Sequence, residues 1–138
     1  MAATDKLTRV CAEAIIEGVL VAFRSRNIDM ILEGFTDDAE VLFGPMDVLR
    51  GRDEIEKFLR ARFERQLNYR LEKDLRMVDG DRMAVAWRGW WDDAVTGAAM
   101  RGKGVEVWTI RDGRLARWEA AFNSVQDGHD PAKALGIL

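Results

Sequence analysis

One cysteine and one histidine in 138 residues remove several chemistries at once. A lone Cys11 forms no internal disulfide and fits a reducing compartment. A lone His129 cannot build a histidine-rich metal site, so neither a metal nor a cofactor is expected. A Ser–His–Asp arrangement would have to use His129, which lies beside Gly128 in a polar tail with no nucleophile near it in sequence. No apolar run approaches the roughly 20 residues of a bilayer span. Asp5 stands where a signal peptide would turn apolar, so the expected location is cytoplasmic, without a membrane partner. With 21 Lys+Arg against 24 Asp+Glu, the chain carries no basic footprint for nucleic acid.

What is present fits one globular domain over residues 1–138, with 48% apolar and 33% charged residues. From Thr4 to Arg26, the residues Leu7, Val10, Cys11, Ala14, Ile15, Val19, Leu20 and Phe23 recur at three- and four-residue steps, predicting a helix with one buried stripe that includes Cys11. Thr4 or Asp5 is expected to cap it and Asn27 to stop it. A short helix from Met30 to Phe35, a brief strand at Glu40–Phe43 and a second long helix over Arg52–Leu67 follow. Beyond this the period changes to two. Asp79-Gly80 and Asp112-Gly113 read as hairpin turns, and the result is a four-stranded meander. Asp130-Pro131 reads as cap and first residue of a last short helix. The class is α+β, helices first.

Gly51-Arg52-Asp53-Glu54-Ile55, Asn68-Tyr69-Arg70-Leu71, the pair Glu106 and Trp108 before Asp112-Gly113, and the pair Glu119 and Asn123 after it resemble the NTF2-like superfamily. The similarity is greatest to its SnoaL-like branch and covers roughly Thr8 to Asn123. The resemblance implies a cone: a curved antiparallel sheet whose concave face is closed by the N-terminal helices over a pocket, usually in a homodimer. Val105, Val107 and Asp92 stand where relatives tend to carry asparagines and a histidine. Roles that rest on those polar groups do not transfer.

If Asp112-Gly113 is a two-residue loop, Trp108 faces Arg117, Glu106 faces Glu119 and Gly104 faces Ala121, all on one side of the sheet. Two carboxylates so placed titrate apart, giving one base and one acid. Arg117 supplies the cation between them. Limonene epoxide hydrolase, another NTF2-like protein, activates water with an acid–arginine–acid set, which Glu106, Arg117 and Glu119 match in type. The rival reading is a structural ion network. Ketosteroid isomerases of the superfamily use a pocket tyrosine; here the single one, Tyr69, starts a strand.

Trp87, Trp91 and Trp108 fall on the expected interior face, as core or as the lining of a pocket for an apolar or ring-shaped ligand. Asn123 could orient that ligand. Gly102 and Gly104 read as bend positions. The opposite face, with Val105 facing Ala120, Val107 facing Trp118, and Phe122 beside them, is expected to form a homodimer. The function expected is therefore that of a small-molecule pocket protein: a cofactor-free hydrolase or isomerase in which Glu106 or Glu119 is the base, the other carboxyl the acid, and Arg117 their support. Two alternatives stay open, a non-catalytic ligand-binding protein and a dimeric assembly module.

Overall fold

The computed structural model describes residues 6–137; the expected caps Thr4 and Asp5 lie outside them. Helix α1 spans Arg9–Ser25, and the Thr8 side chain caps it by accepting from the Cys11 N–H at 3.1 Å. It stops one residue earlier than expected. Arg26 takes the left-handed conformation (φ 56°), and its guanidinium donates to the Phe63 carbonyl at 2.9 Å while lying over the Phe63 ring. Asn27 instead opens α2 (Ile28–Glu33), accepting from the Met30 N–H. The buried stripe of α1 is Ala12, Ile16, Leu20 and Phe23, while Val10 and Cys11 are exposed. The expectation of a core Cys11 therefore fails. Apolar residues cover more of this helix than one stripe, and the arc centred on Ala12 and Ile16 is the one that meets the core.

Strands β1 (Phe35–Phe43) and β2 (Leu49–Arg50) precede α3 (Gly51–Arg65). Then come β3 (Gln66–Asp79), β4 (Arg82–Asp93), β5 (Ala99–Arg111) and β6 (Arg114–Gln126), with α4 (Pro131–Ala134) capped by Asp130. The sheet order is β2-β1-β6-β5-β4-β3. The expected meander β3–β6 is present, and β1 extends it by pairing parallel to β6, with β2 antiparallel beyond. This is an α+β fold of six strands, one face covered by helices. On that face α1 packs against β3 and α3 against β1, enclosing a core of Phe35, Val41, Ile55, Leu59, Met83, Val85 and Trp108.

The last hairpin decides which side chains enter that core. Asp112 (φ 52°) and Gly113 (φ 72°) make the two-residue turn, both left-handed as such a turn requires. Ile110 pairs with Leu115 as expected. The next pair is Thr109 with Arg117, so Ala116 is an extra residue on β6, a β-bulge. Every later pair is shifted by one: Trp108 meets Trp118, Val107 meets Glu119, Glu106 meets Ala120 and Val105 meets Ala121. Because side chains alternate, one inserted residue exchanges the two faces of β6. Trp118 (5% exposed), Ala120 and Phe122 turn to the core, and Arg117 and Glu119 turn out. The opposed Glu106–Glu119 pair is not formed, and the outer patch does not contain Trp118, Ala120 or Phe122.

Candidate functional site

On the concave face, β3 presents Tyr69, Leu71 and Lys73, β4 presents Trp87, and β5 presents Gly104 and Glu106. Trp118, Ala120 and Phe122 of β6 complete the floor, while Phe23, Phe43 and Arg62 close over it. The free volume left among them is about 10 Å³, room for a single water. Trp87 lies flat because two strand positions beside it have no side chain. A Cβ on Gly89 would stand 2.6 Å from its ring, and one on Gly102 would stand 3.0 Å away. A Cβ on Gly104 would meet the Ala121 carbonyl at 2.1 Å. These glycines make space for the indole and for close strand approach.

Glu106 is 5% exposed. Its Oε1 accepts from Lys73 Nζ at 2.6 Å and from the Trp108 indole N–H at 3.1 Å. Both bonds fall on one oxygen; among the described residues none reaches Oε2. The Lys73 side chain is itself only 4% exposed. Burial lowers its pKa, opposed by the Glu106 charge and reinforced by the nearby positive charge of Arg62. A buried, hydrogen-bonded pair of this kind fixes the carboxylate in one orientation.

Tyr69 forms the second polar centre. Its hydroxyl oxygen accepts from Arg62 Nη2 at 2.7 Å and from the Trp87 indole N–H at 3.1 Å. With both lone pairs engaged, its own hydrogen is left to donate elsewhere. Burial raises the Tyr69 pKa; the Arg62 charge and the Trp87 N–H act in the opposite sense. Arg62 is held by Gln66 Oε1 at 2.8 Å and lies 5.0 Å over both the Phe43 and the Tyr69 rings. One further donor, the Trp118 indole N–H, is buried without a partner.

Of the residues anticipated from sequence, the structure brings Glu106, Tyr69 and Trp87 to this cavity, with Trp108 buried behind Glu106. Trp91 is buried but lines a depression at the sheet's end with Asn68, Asp92 and Met100. Arg117 and Glu119 pair with each other at 3.3 Å on the outer face, each side chain nearly half exposed. Asn123 is exposed on that face too. Lys73 and Arg62 were missed. Lys73 had a signal: it is a charged residue at the inward parity of Tyr69, Leu71 and Leu75. Arg62 stands four residues after Phe58, on the flank of the apolar face of α3.

Among the described residues, no group of three His, Cys, Asp or Glu could hold a metal ion. None of their helices is long and apolar enough to cross a membrane.

The SnoaL-like domain family matches residues 16–118 of the chain. The chain belongs to that family. No curated protein matches it. Among solved structures, this SnoaL-like domain is similar to TerC co-crystallized with polyporic acid, at 26% identity and a TM-score of 0.70, covering 82% of this chain and 92% of TerC. It is similar to SalBIII, an epoxide hydrolase/cyclase-like enzyme in pyran ring formation in the polyether salinomycin, at 19% identity and a TM-score of 0.75, with 88% and 95% covered. It is also similar to an NTF2-like protein of unknown function from Burkholderia pseudomallei K96243, at 21% identity and a TM-score of 0.73, with 92% and 96% covered. The last establishes an NTF2-like fold for this SnoaL-like domain.

Proposed function

We propose that this SnoaL-like domain is a cofactor-free acid–base enzyme, a hydrolase or isomerase of a small, largely apolar molecule. Glu106 is the base. The observation that carries the reading is the asymmetry of its carboxylate, Oε1 bound by Lys73 and Trp108 and Oε2 without a donor among the described residues, on a side chain that lines the cavity with Trp87, Trp118 and Phe122. A proton passes to Oε2 either from a water, whose oxygen bonds to a substrate carbon as that carbon's C–O bond breaks, or from a substrate carbon, whose electron pair shifts to the adjoining carbonyl oxygen. Negative charge then collects on a substrate oxygen, where the Tyr69 hydroxyl donates and Arg62 supports it. Lys73 is a positioning residue. The family and the hydrolase/cyclase-like neighbour support this reading.

For a substrate to enter, Arg62 and Phe43 must move. Both also line an outer depression with Phe58 and Gln66, so they form the wall between that depression and the cavity. The experiment is a panel of styrene oxide hydrolysis and deuterium exchange at carbon in 2-indanone. Acceleration of either by the wild type, lost about 10²-fold or more in a folded Glu106→Gln protein, supports the assignment. Equal rates in the two proteins contradict it.

The small free volume favours one rival, the assembly module whose cone is filled by its own side chains. Its dimer face would be the outer sheet surface, where Val105 is 60% and Val107 38% exposed beside Ala84, Ala86 and Ala121 on neighbouring strands. A homodimer through this face is part of our proposal under either reading, since such a patch is costly in water. Sedimentation at micromolar concentration is expected to give a dimer that Val105→Lys disrupts; a wild-type monomer contradicts it.

A further inference from the structure

The charges at the cavity do not balance. Lys73 is neutralised by Glu106, but among the described residues Arg62 has no carboxylate within salt-bridge distance. Its partners are two neutral oxygens, Gln66 Oε1 and the Tyr69 hydroxyl, and three aromatic rings, Phe23, Phe43 and Tyr69. A guanidinium does not discharge in a protein, so this positive charge is permanent. The remainder of the lining is apolar, and the Tyr69 hydrogen is free to donate beside it. A half-buried, uncompensated cation and an idle hydroxyl donor, set among aromatic walls, are complementary to an anion on a flat apolar body.

We propose, resting on the pocket reading above, that when Arg62 and Phe43 swing towards the outer depression they share with Phe58 and Gln66, the cavity opens to an organic anion: an aromatic or alicyclic body bearing one acidic oxygen, as carboxylate, phenolate or enolate, that lies against Arg62 and the Tyr69 hydroxyl. Arg62 then selects for charge at the entrance and holds it at the site. Glu106 disfavours a second anionic group at the other end, so a monoanion fits and a dianion spanning both ends does not. A neutral molecule of the same shape loses the Arg62 interaction and keeps only the apolar contact.

The test uses two probes of nearly equal shape, 4-nitrophenolate and its neutral methyl ether 4-nitroanisole, titrated calorimetrically into the full chain at mildly alkaline pH. Shifts of the Trp87 and Trp118 indole N–H resonances locate the bound probe. The phenolate is expected to bind about tenfold or more tightly than the ether, a difference of about 1.4 kcal/mol. Arg62→Gln is expected to abolish that preference and Arg62→Lys to retain part of it. Equal or tighter binding of the ether overturns the anion assignment while leaving the pocket in place, as does a preference that survives Arg62→Gln. Binding of neither probe overturns the anion assignment and the pocket reading together. The wild-type comparison stands whether or not the variants fold.

Discussion

Lys73 Nζ donates to Glu106 Oε1 across 2.6 Å, from β3 to β5 over the intervening strand β4, with both side chains nearly out of solvent. Removing both charges at such a site costs less than removing one, because a lone buried charge keeps its desolvation penalty and loses its compensation. Lys73→Met is therefore expected to lower stability by about 3–5 kcal/mol, read from urea denaturation. Adding Glu106→Gln to that variant is expected to cost less than the two single effects combined. Simple additivity would show that the pair is not coupled.

Gly89 leaves the space that the Trp87 indole occupies, and its missing Cβ would also stand 3.2 Å from the Tyr69 hydroxyl. Gly89→Ala is expected to displace Trp87, lengthen its hydrogen bond to Tyr69 and cost about 1–3 kcal/mol. Thermal unfolding with the Trp87 indole resonance as local readout checks this; an unshifted resonance contradicts it.

Ala116 is the extra residue on β6 before Arg117 and Trp118. Its deletion joins Leu115 directly to Arg117, so Thr109 still meets Arg117 and Trp108 still meets Trp118 in an unbroken ladder, with Trp118 inside and Arg117 and Glu119 outside. Deletion is therefore expected to keep cooperative unfolding by calorimetry, and Ala116→Ser, which keeps the bulge, is expected to stay within about 0.5 kcal/mol of wild type. A deletion protein that loses cooperative unfolding contradicts the assignment of Ala116 as the extra residue.

Asp93 closes the loop after β4. It accepts from the Thr96 N–H at 3.0 Å and the Thr96 hydroxyl at 2.8 Å, and it pairs with Arg65 at the end of α3. The Arg65 hydrogen bond, followed by that of Thr96, holds its pKa at about 2 against an ordinary 3.8. A carboxyl whose folded value lies below its unfolded one stabilises the fold above the unfolded value. That contribution fades as pH falls from 3.8 towards about 2. Asp93→Asn is expected to flatten the melting temperature against pH in this window; an unchanged slope contradicts the assignment.

The parts of the fold governed by local chemistry were legible in the sequence. The Asp112-Gly113 turn, the strand pattern around Trp87 and the Asp130-Pro131 cap are each dictated by a few neighbouring residues. What was not legible depends on distant partners. Thr36, Asp37 and Asp38 do not read as strand, yet β1 begins at Phe35 because its backbone pairs with β6 and the two aspartates reach Arg52 and Arg111. The bulge at Ala116 has no marker of its own, since alanine fits either face. It arises because Trp118 and Phe122 must both be covered, and it moved two of the three anticipated catalytic residues to the surface. Lys73 escaped notice as one charge in an alternating strand. Its meaning depended on Glu106, two strands away.

Glu106 lies inside and Glu119 outside, so the decisive measurement sets Glu106→Gln beside Glu119→Gln. Both substitutions conserve shape, and in the first the new amide oxygen can still accept from Lys73 and Trp108. With whichever probe the wild type turns over, kcat/KM is expected to fall about 10²-fold or more for Glu106→Gln and to stay within about twofold for Glu119→Gln. Equal losses, or a loss confined to Glu119→Gln, would contradict the placement of the base and the mechanism built on it.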